Sequence, residues 1–132
     1  MPIESLSAGV GCPPGIVRAG EAAVVQGSYS FSIRNDTEAT IEVRITGTLV
    51  DSQAVLNYTN EETRLLATDE RWKASWENPA IGEFHELGQV QVQAFLFIRS
   101  DNSDFSDQVE STPCTFTVAT NLEGSEQYQR SS

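Results

Sequence analysis

The chain has 132 residues, 39% of them hydrophobic and 20% charged, with a formal net charge of −11. That length suits one domain, which removes roughly two thirds of its unfolded surface from water, while the acidic excess repels phosphate backbones and anionic lipid surfaces and sets nucleic acid aside as a partner. No apolar run reaches the ~20 residues of a bilayer span, so no membrane insertion is expected, and MPIESLSAGVGCPPG has neither the basic nor the apolar region of a secretory signal; the chain reads as cytoplasmic as written and as secreted if a leader was removed.

Along the chain, residues 1–15 read as an N-terminal extension ahead of a domain over 16–119. Strict alternation then dominates. GSYSFSIR puts Tyr29, Phe31 and Ile33 on one face and three serines with Arg34 on the other, the period of a half-buried strand. NDTEA follows as a turn, because Asn and Asp accept local hydrogen bonds and tolerate left-handed backbone. TIEVRITGTLV repeats the alternation with Ile41, Val43, Ile45 and Leu49 inward. Two short strands are expected at 54–58 and 63–67. A helix competes there, since Thr59 and Glu62 make a capping box and Leu65, Trp72 and Trp76 recur at helical spacing. ERWKASW aligns Trp72, Ala74 and Trp76 as a strand, and ENPAIGEFHELG has the Pro and Gly punctuation of a loop. VQVQAFLFIR and CTFTV complete the strands, and the polar, Ser-rich stretch 120–132 reads as a mobile tail.

About seven short strands separated by turn signals predict an all-β, antiparallel two-sheet sandwich. FSIRNDTEATIEVRITGTL followed by LLATDERWKASWENPAIGEFHELGQVQVQAFL resembles the bacterial immunoglobulin-like modules of the CARDB and fibronectin type III kind. Asn35 stands in the turn between the second and third strands, and Trp76, Pro79 and Gly82 or Gly88 precede the alternating strand as in those modules. The connection between Ala80 and Gly88 is longer than theirs. The resemblance covers about residues 16–119 and implies an immunoglobulin-like fold and a non-catalytic binding, spacer or assembly unit.

Several groups are candidates for function. Cys12 and Cys114 are the only cysteines, too few for a four-thiolate zinc site; if bonded, they imply an oxidising compartment. In an immunoglobulin-like sandwich two loops share one end, bringing Asp36 and Glu38 toward Asp101, Asn102, Asp104 and Asp107 as oxygen ligands suited to calcium as a cofactor. DNSDFSDQVEST departs from the EF-hand pattern at Phe105, Ser106 and Thr112, and solvated turn carboxylates are the plainer reading. His85, between Glu83 and Glu86, has the neighbours of a base or pH switch but no recognisable nucleophile or second histidine. The tryptophans read as core, Trp76 above all, each burying on the order of 200 Å².

Phe95 and Phe97 occupy consecutive outward positions on a strand whose outward face begins with Gln91 and Gln93. Their expected neighbours are Arg44, Thr46 and Thr48 on one side and Thr115 and Thr117 on the other. Cross-strand packing on Thr methyls accounts for them locally, and a partner protein or second copy covering an apolar patch accounts for them functionally. The sequence therefore predicts a non-enzymatic binding or assembly module using this sheet face. Its rivals are a calcium-dependent extracellular adhesion or spacer domain and, further off, a small enzyme centred on His85.

Overall fold

The computed structural model describes residues 2–101 and 105–120, with Asn57 described in its backbone alone. Among these residues nine strands form two sheets and no helix is present. One sheet has the order β1 (Ile3–Gly11), β3 (Ala22–Arg34), β6 (Arg71–Glu83). The other runs β2 (Ile16–Arg18), β9 (Cys114–Ala119), β7 (Gly88–Ser100), β4 (Ile41–Asp51), β5 (Asn57–Leu66), with β8 (Ser106–Glu110) on the remaining stretch of β7. Every pairing is antiparallel except the short β2–β9 ladder.

The period-2 pattern stacks these sheets, because residues that alternate on each strand must bury the same face. Tyr29, Phe31 and Ile33 of β3, Ile41, Val43 and Ile45 of β4 and Ala94, Leu96 and Ile98 of β7 close one apolar cluster with Leu66 and Trp72. Val25, Leu49, Val90, Val92, Phe84 and Phe116 close a second toward the other end. There Phe84 and Phe116 meet edge to face, their ring centres 5.1 Å apart.

Four local readings change. Residues 3–11, expected as an extension, form β1 and pair with β3 across its whole later length. The two short strands expected at 54–58 and 63–67 are the single strand β5, which pairs with β4 in ten consecutive registers from Val50–Asn57 to Ile41–Leu66. Ala54 instead sits in the preceding turn with φ 59°, where Asp51 accepts the amides of Gln53 and Leu56. The helix alternative for this region is overruled by that ladder and by β6. Most of the expected loop after Trp76 also belongs to β6, which crosses Pro79 opposite Gln26; proline is tolerated because β6 is the edge of its sheet and needs no outward donor.

Trp72 is the more buried tryptophan, 4% exposed and part of the first cluster, whereas Trp76 is half-buried against it and stacks on Tyr29. The tail expected over 120–132 lies outside the described residues from 121 onward. Cys12 and Cys114 are joined in a disulfide with their Cα atoms 5.8 Å apart, linking the chain just after β1 to the start of β9.

Candidate binding face

The outer face of the six-stranded sheet is set by the register of its central strands. Thr46 stands opposite Phe97 and Thr48 opposite Phe95 across β4–β7. On the other flank Phe97 faces Gln108 and Phe95 faces Glu110 of β8. Both rings are half-buried and belong to neither apolar cluster. Thr46, Thr48, Phe95, Phe97 and Gln108 line a shallow depression open to solvent.

The expected neighbours on the β9 flank need correction. Thr115 lies opposite Gln91 and Thr117 opposite Gln89, so neither touches the phenylalanine rows. Strand β7 is long enough to be bordered by two different strands, β9 along its first half and β8 along its second. Sequence reasoning missed β8, and with it Gln108 and Glu110; the alternation of these two residues around half-buried Val109 was the available signal. At the wet end, Gln93 Nε2 donates to the Ser111 carbonyl at 2.9 Å and to Glu110 Oε1 at 3.3 Å.

Arg44 stands two positions from Thr46 on the same face, directly opposite Arg99. Its Nε lies 3.8 Å from Glu61 Oε2 on β5, and the same carboxylate accepts from Thr46 Oγ1 at 3.4 Å. Arg44, Arg99, Glu42, Ser100 and Asp101 border a smaller hollow next to the phenylalanine depression.

The acidic tip is only partly described. The Asp101 amide donates to the Glu42 carbonyl at 2.8 Å, which brings the end of β7 to the start of β4, next to the turn holding Asp36 and Glu38. Asn102 and Asp104 lie outside the described residues, and Asp107 stands in β8 opposite Ile98. Among the described residues no group of three or more His, Cys, Asp or Glu side chains is arranged to hold a metal ion. His85 is exposed in the loop after β6, its Nε2 3.8 Å from Glu83 Oε1, a contact that is ionic only when the imidazole is protonated. The neighbouring Glu86 contributes its backbone carbonyl to Gln53 Nε2 at 2.7 Å.

Among the described residues three ionisable groups are perturbed for structural reasons: Glu4, its partner Arg71, which the bond to Glu4 pushes up, and Tyr29. Glu4 is the extra residue of a β-bulge between Ile3 and Ser5. Its carboxylate accepts two hydrogen bonds from Arg71, both at 2.8 Å, and one from Ser32 at 2.7 Å. Those bonds, the arginine's first, hold its carboxyl down to about 2. The Tyr29 phenol donates to the Thr48 carbonyl at 3.0 Å, and burial, then the nearby Tyr58, pushes it up to about 12.

The two-sheet topology, with β1–β3–β6 facing β9–β7–β4–β5, decides the fold. The chain is an immunoglobulin-like β-sandwich. It is similar in fold to a segment of a Bacteroides uniformis β-glucuronidase solved covalently bound to cyclophellitol-6-carboxylate aziridine, with a TM-score of 0.51 and 18% identity over 78% of this chain and 12% of that one. A second structure of a B. uniformis β-glucuronidase gives a TM-score of 0.50 at the same identity and coverage. The CARDB domain of PF1109 from Pyrococcus furiosus matches with a TM-score of 0.45 and 11% identity over 88% of this chain and 95% of that domain. The chain thus spans 12% of the length of the enzymes it matches, and at these identities the likeness is one of fold. Neither a family profile nor a curated protein sequence matches it.

Proposed function

We propose that this chain is a non-catalytic binding or assembly module that docks its partner on the outer face of the six-stranded sheet, around Phe95 and Phe97. One observation carries the reading: two phenyl rings occupy consecutive outward positions of the central strand β7, outside both cores, and line an open depression. Apolar surface left to water costs about 25 cal/mol per Å², and a partner that covers the rings recovers that free energy. The flanking Thr46, Thr48 and Gln108 supply hydrogen-bonding groups at the rim, as an apolar centre with a polar surround requires.

Sedimentation of the wild type and of the Phe95→Ser/Phe97→Ser variant is the first test. Docking between copies makes the mass rise with concentration and return to that of a monomer in the variant. If the wild type is monomeric throughout, the face must take another partner. A neutral aromatic peptide, acetyl-Ser-Phe-Ser-Asn-Ser-amide, then shifts the backbone amide NMR signals of Thr46, Thr48, Phe95, Phe97 and Gln108 in the wild type and not in the variant. A monomer whose spectrum this peptide leaves unchanged overturns the reading.

A further inference from the structure

We infer that the partner presented to this face is an extended peptide carrying one carboxylate two residues from an aromatic or large aliphatic side chain, the carboxylate reaching Arg99 while the apolar group covers Phe97 and Phe95. The inference rests on the docking face proposed above and names the chemistry of its occupant.

The argument starts from an unfavourable pair. Arg44 and Arg99 stand directly opposite one another across β4–β7, and like charges in that position destabilise a sheet. Arg44 is relieved by Glu61 at 3.8 Å. Among the described residues Arg99 has no ion pair, although the chain as a whole carries an acidic excess of eleven charges. Its guanidinium, half-exposed on the same face as the rings, keeps donors that a carboxylate matches in a planar, two-bond geometry.

Position then selects the ligand. Arg99 and Phe97 are two residues apart on one strand, hence about 7 Å apart on the same face. An extended peptide presents its own residues i and i+2 at that same spacing and on one side, so a carboxylate and a ring at those positions reach Arg99 and Phe97 together. The surrounding charges limit the anion to one. Glu42 and Asp101 border the arginine hollow on the tip side, and Glu61 and Glu110 flank the rows of the rings. A polyanion such as an acidic polysaccharide meets these carboxylates, whereas a peptide with a single carboxylate avoids them. That difference favours the peptide.

The test uses amide NMR titration of the whole chain with acetyl-Ser-Phe-Ser-Asp-Ser-amide and with its Asn counterpart, against wild type, Arg99→Gln and Arg99→Lys. The Asp peptide is expected to bind about tenfold more tightly than the Asn peptide at low salt, with shifts clustered on Phe95, Phe97 and Arg99. Arg99→Gln brings the ratio to about one while keeping the Asn peptide's affinity, and Arg99→Lys retains part of the preference. The dispersion of the same spectra reports that each variant is folded. Equal affinity of wild type for the two peptides overturns the inference and leaves the docking face standing. So does an Asp preference that survives in Arg99→Gln, or tighter binding of a galacturonate trisaccharide than of the Asp peptide. If neither peptide nor the sugar perturbs the face, both the inference and the reading beneath it fall.

Discussion

Tyr29 fits only because two residues near it have no side chain. A β-carbon on Gly27 would lie 2.5 Å from Leu49 Cδ1 and 2.8 Å from the Tyr29 hydroxyl oxygen; on Gly47 it would lie 3.2 Å from Trp76 Cζ2 and 3.3 Å from Tyr29 Cε1. The first is a collision and the second a tight contact. Gly27→Ala therefore forces the buried phenol off its bond to the Thr48 carbonyl, and should lower stability by about 1–3 kcal/mol, the usual cost of overpacking a core. Gly47→Ala should cost less, because the stacked Tyr29–Trp76 pair, its centres 5.0 Å apart, can slide by a few tenths of an ångström toward the half-exposed Trp76 edge. Urea unfolding of the two variants gives the order; a Gly47→Ala more damaging than Gly27→Ala would show that the glycine on β4 is the one that seats the ring.

At the scale of elements, the strands are held in place by side chains that reach across them. Asn35 is fully buried, and its amide meets four partners: Nδ2 donates to the Ala39 and Leu66 carbonyls at 2.8 and 3.0 Å, while Oδ1 accepts the Thr37 amide at 2.9 Å and hydroxyl at 2.6 Å. Its backbone also bonds Glu70 and Asp69, so one residue ties the β3–β4 turn to the β5–β6 connection that crosses between sheets. Asn35→Ala strands the buried Leu66 carbonyl and the Thr37 amide and should cost about 2–4 kcal/mol in urea unfolding, and Asn35→Asp should fare no better, since a carboxylate has nothing to donate. The Glu4 clamp works across β1, β3 and β6 and brings a pH dependence. Its folded pKa, about 2, lies below the ordinary carboxyl value of 4.5, so its contribution is present above pH 4.5 and is lost as pH falls toward 2. Glu4→Gln should be less stable than wild type at pH 6, with the gap narrowing below pH 4.5 and closing only as pH reaches about 2, as denaturant midpoints across that range would show. Such long-range partners explain what the sequence made legible. The central strands were readable because Tyr29, Phe31 and Ile33, or Val90 through Ile98, alternate against a buried sheet. Edge strands β1, β5 and β8 bury little on their own account, and their position is set by ladders to distant strands that no local pattern encodes. The rings of Phe95 and Phe97 were legible as an outward pair, whereas their true flank, β8 with Gln108 and Glu110, follows from that same unreadable pairing.

For the molecule as a whole, the disulfide is the one covalent cross-link besides the backbone itself among the described residues, and it joins the two sheets. It joins positions 102 residues apart, and in the chain-entropy account closing a loop of that length contributes about 4–5 kcal/mol by restricting the unfolded chain. A domain of ordinary stability holds about 5–15 kcal/mol in total, so the bridge decides whether this sandwich is robust or marginal. Reduction, or the Cys12→Ala/Cys114→Ala pair, should lower the unfolding free energy by a comparable amount. Both sulfurs are partly buried against the second apolar cluster, so some of any loss will come from packing. The two sources separate in the denaturant slope: releasing the loop lets the unfolded chain expand and expose more surface, which raises m, while a packing loss moves the midpoint alone. Guanidinium unfolding of the oxidised, reduced and double-alanine forms should give a lower midpoint with a steeper slope in the latter two. An unchanged slope would place the stabilisation in the native contacts of β1 and β9, and the sandwich would then owe its cohesion to its cores more than to its tether.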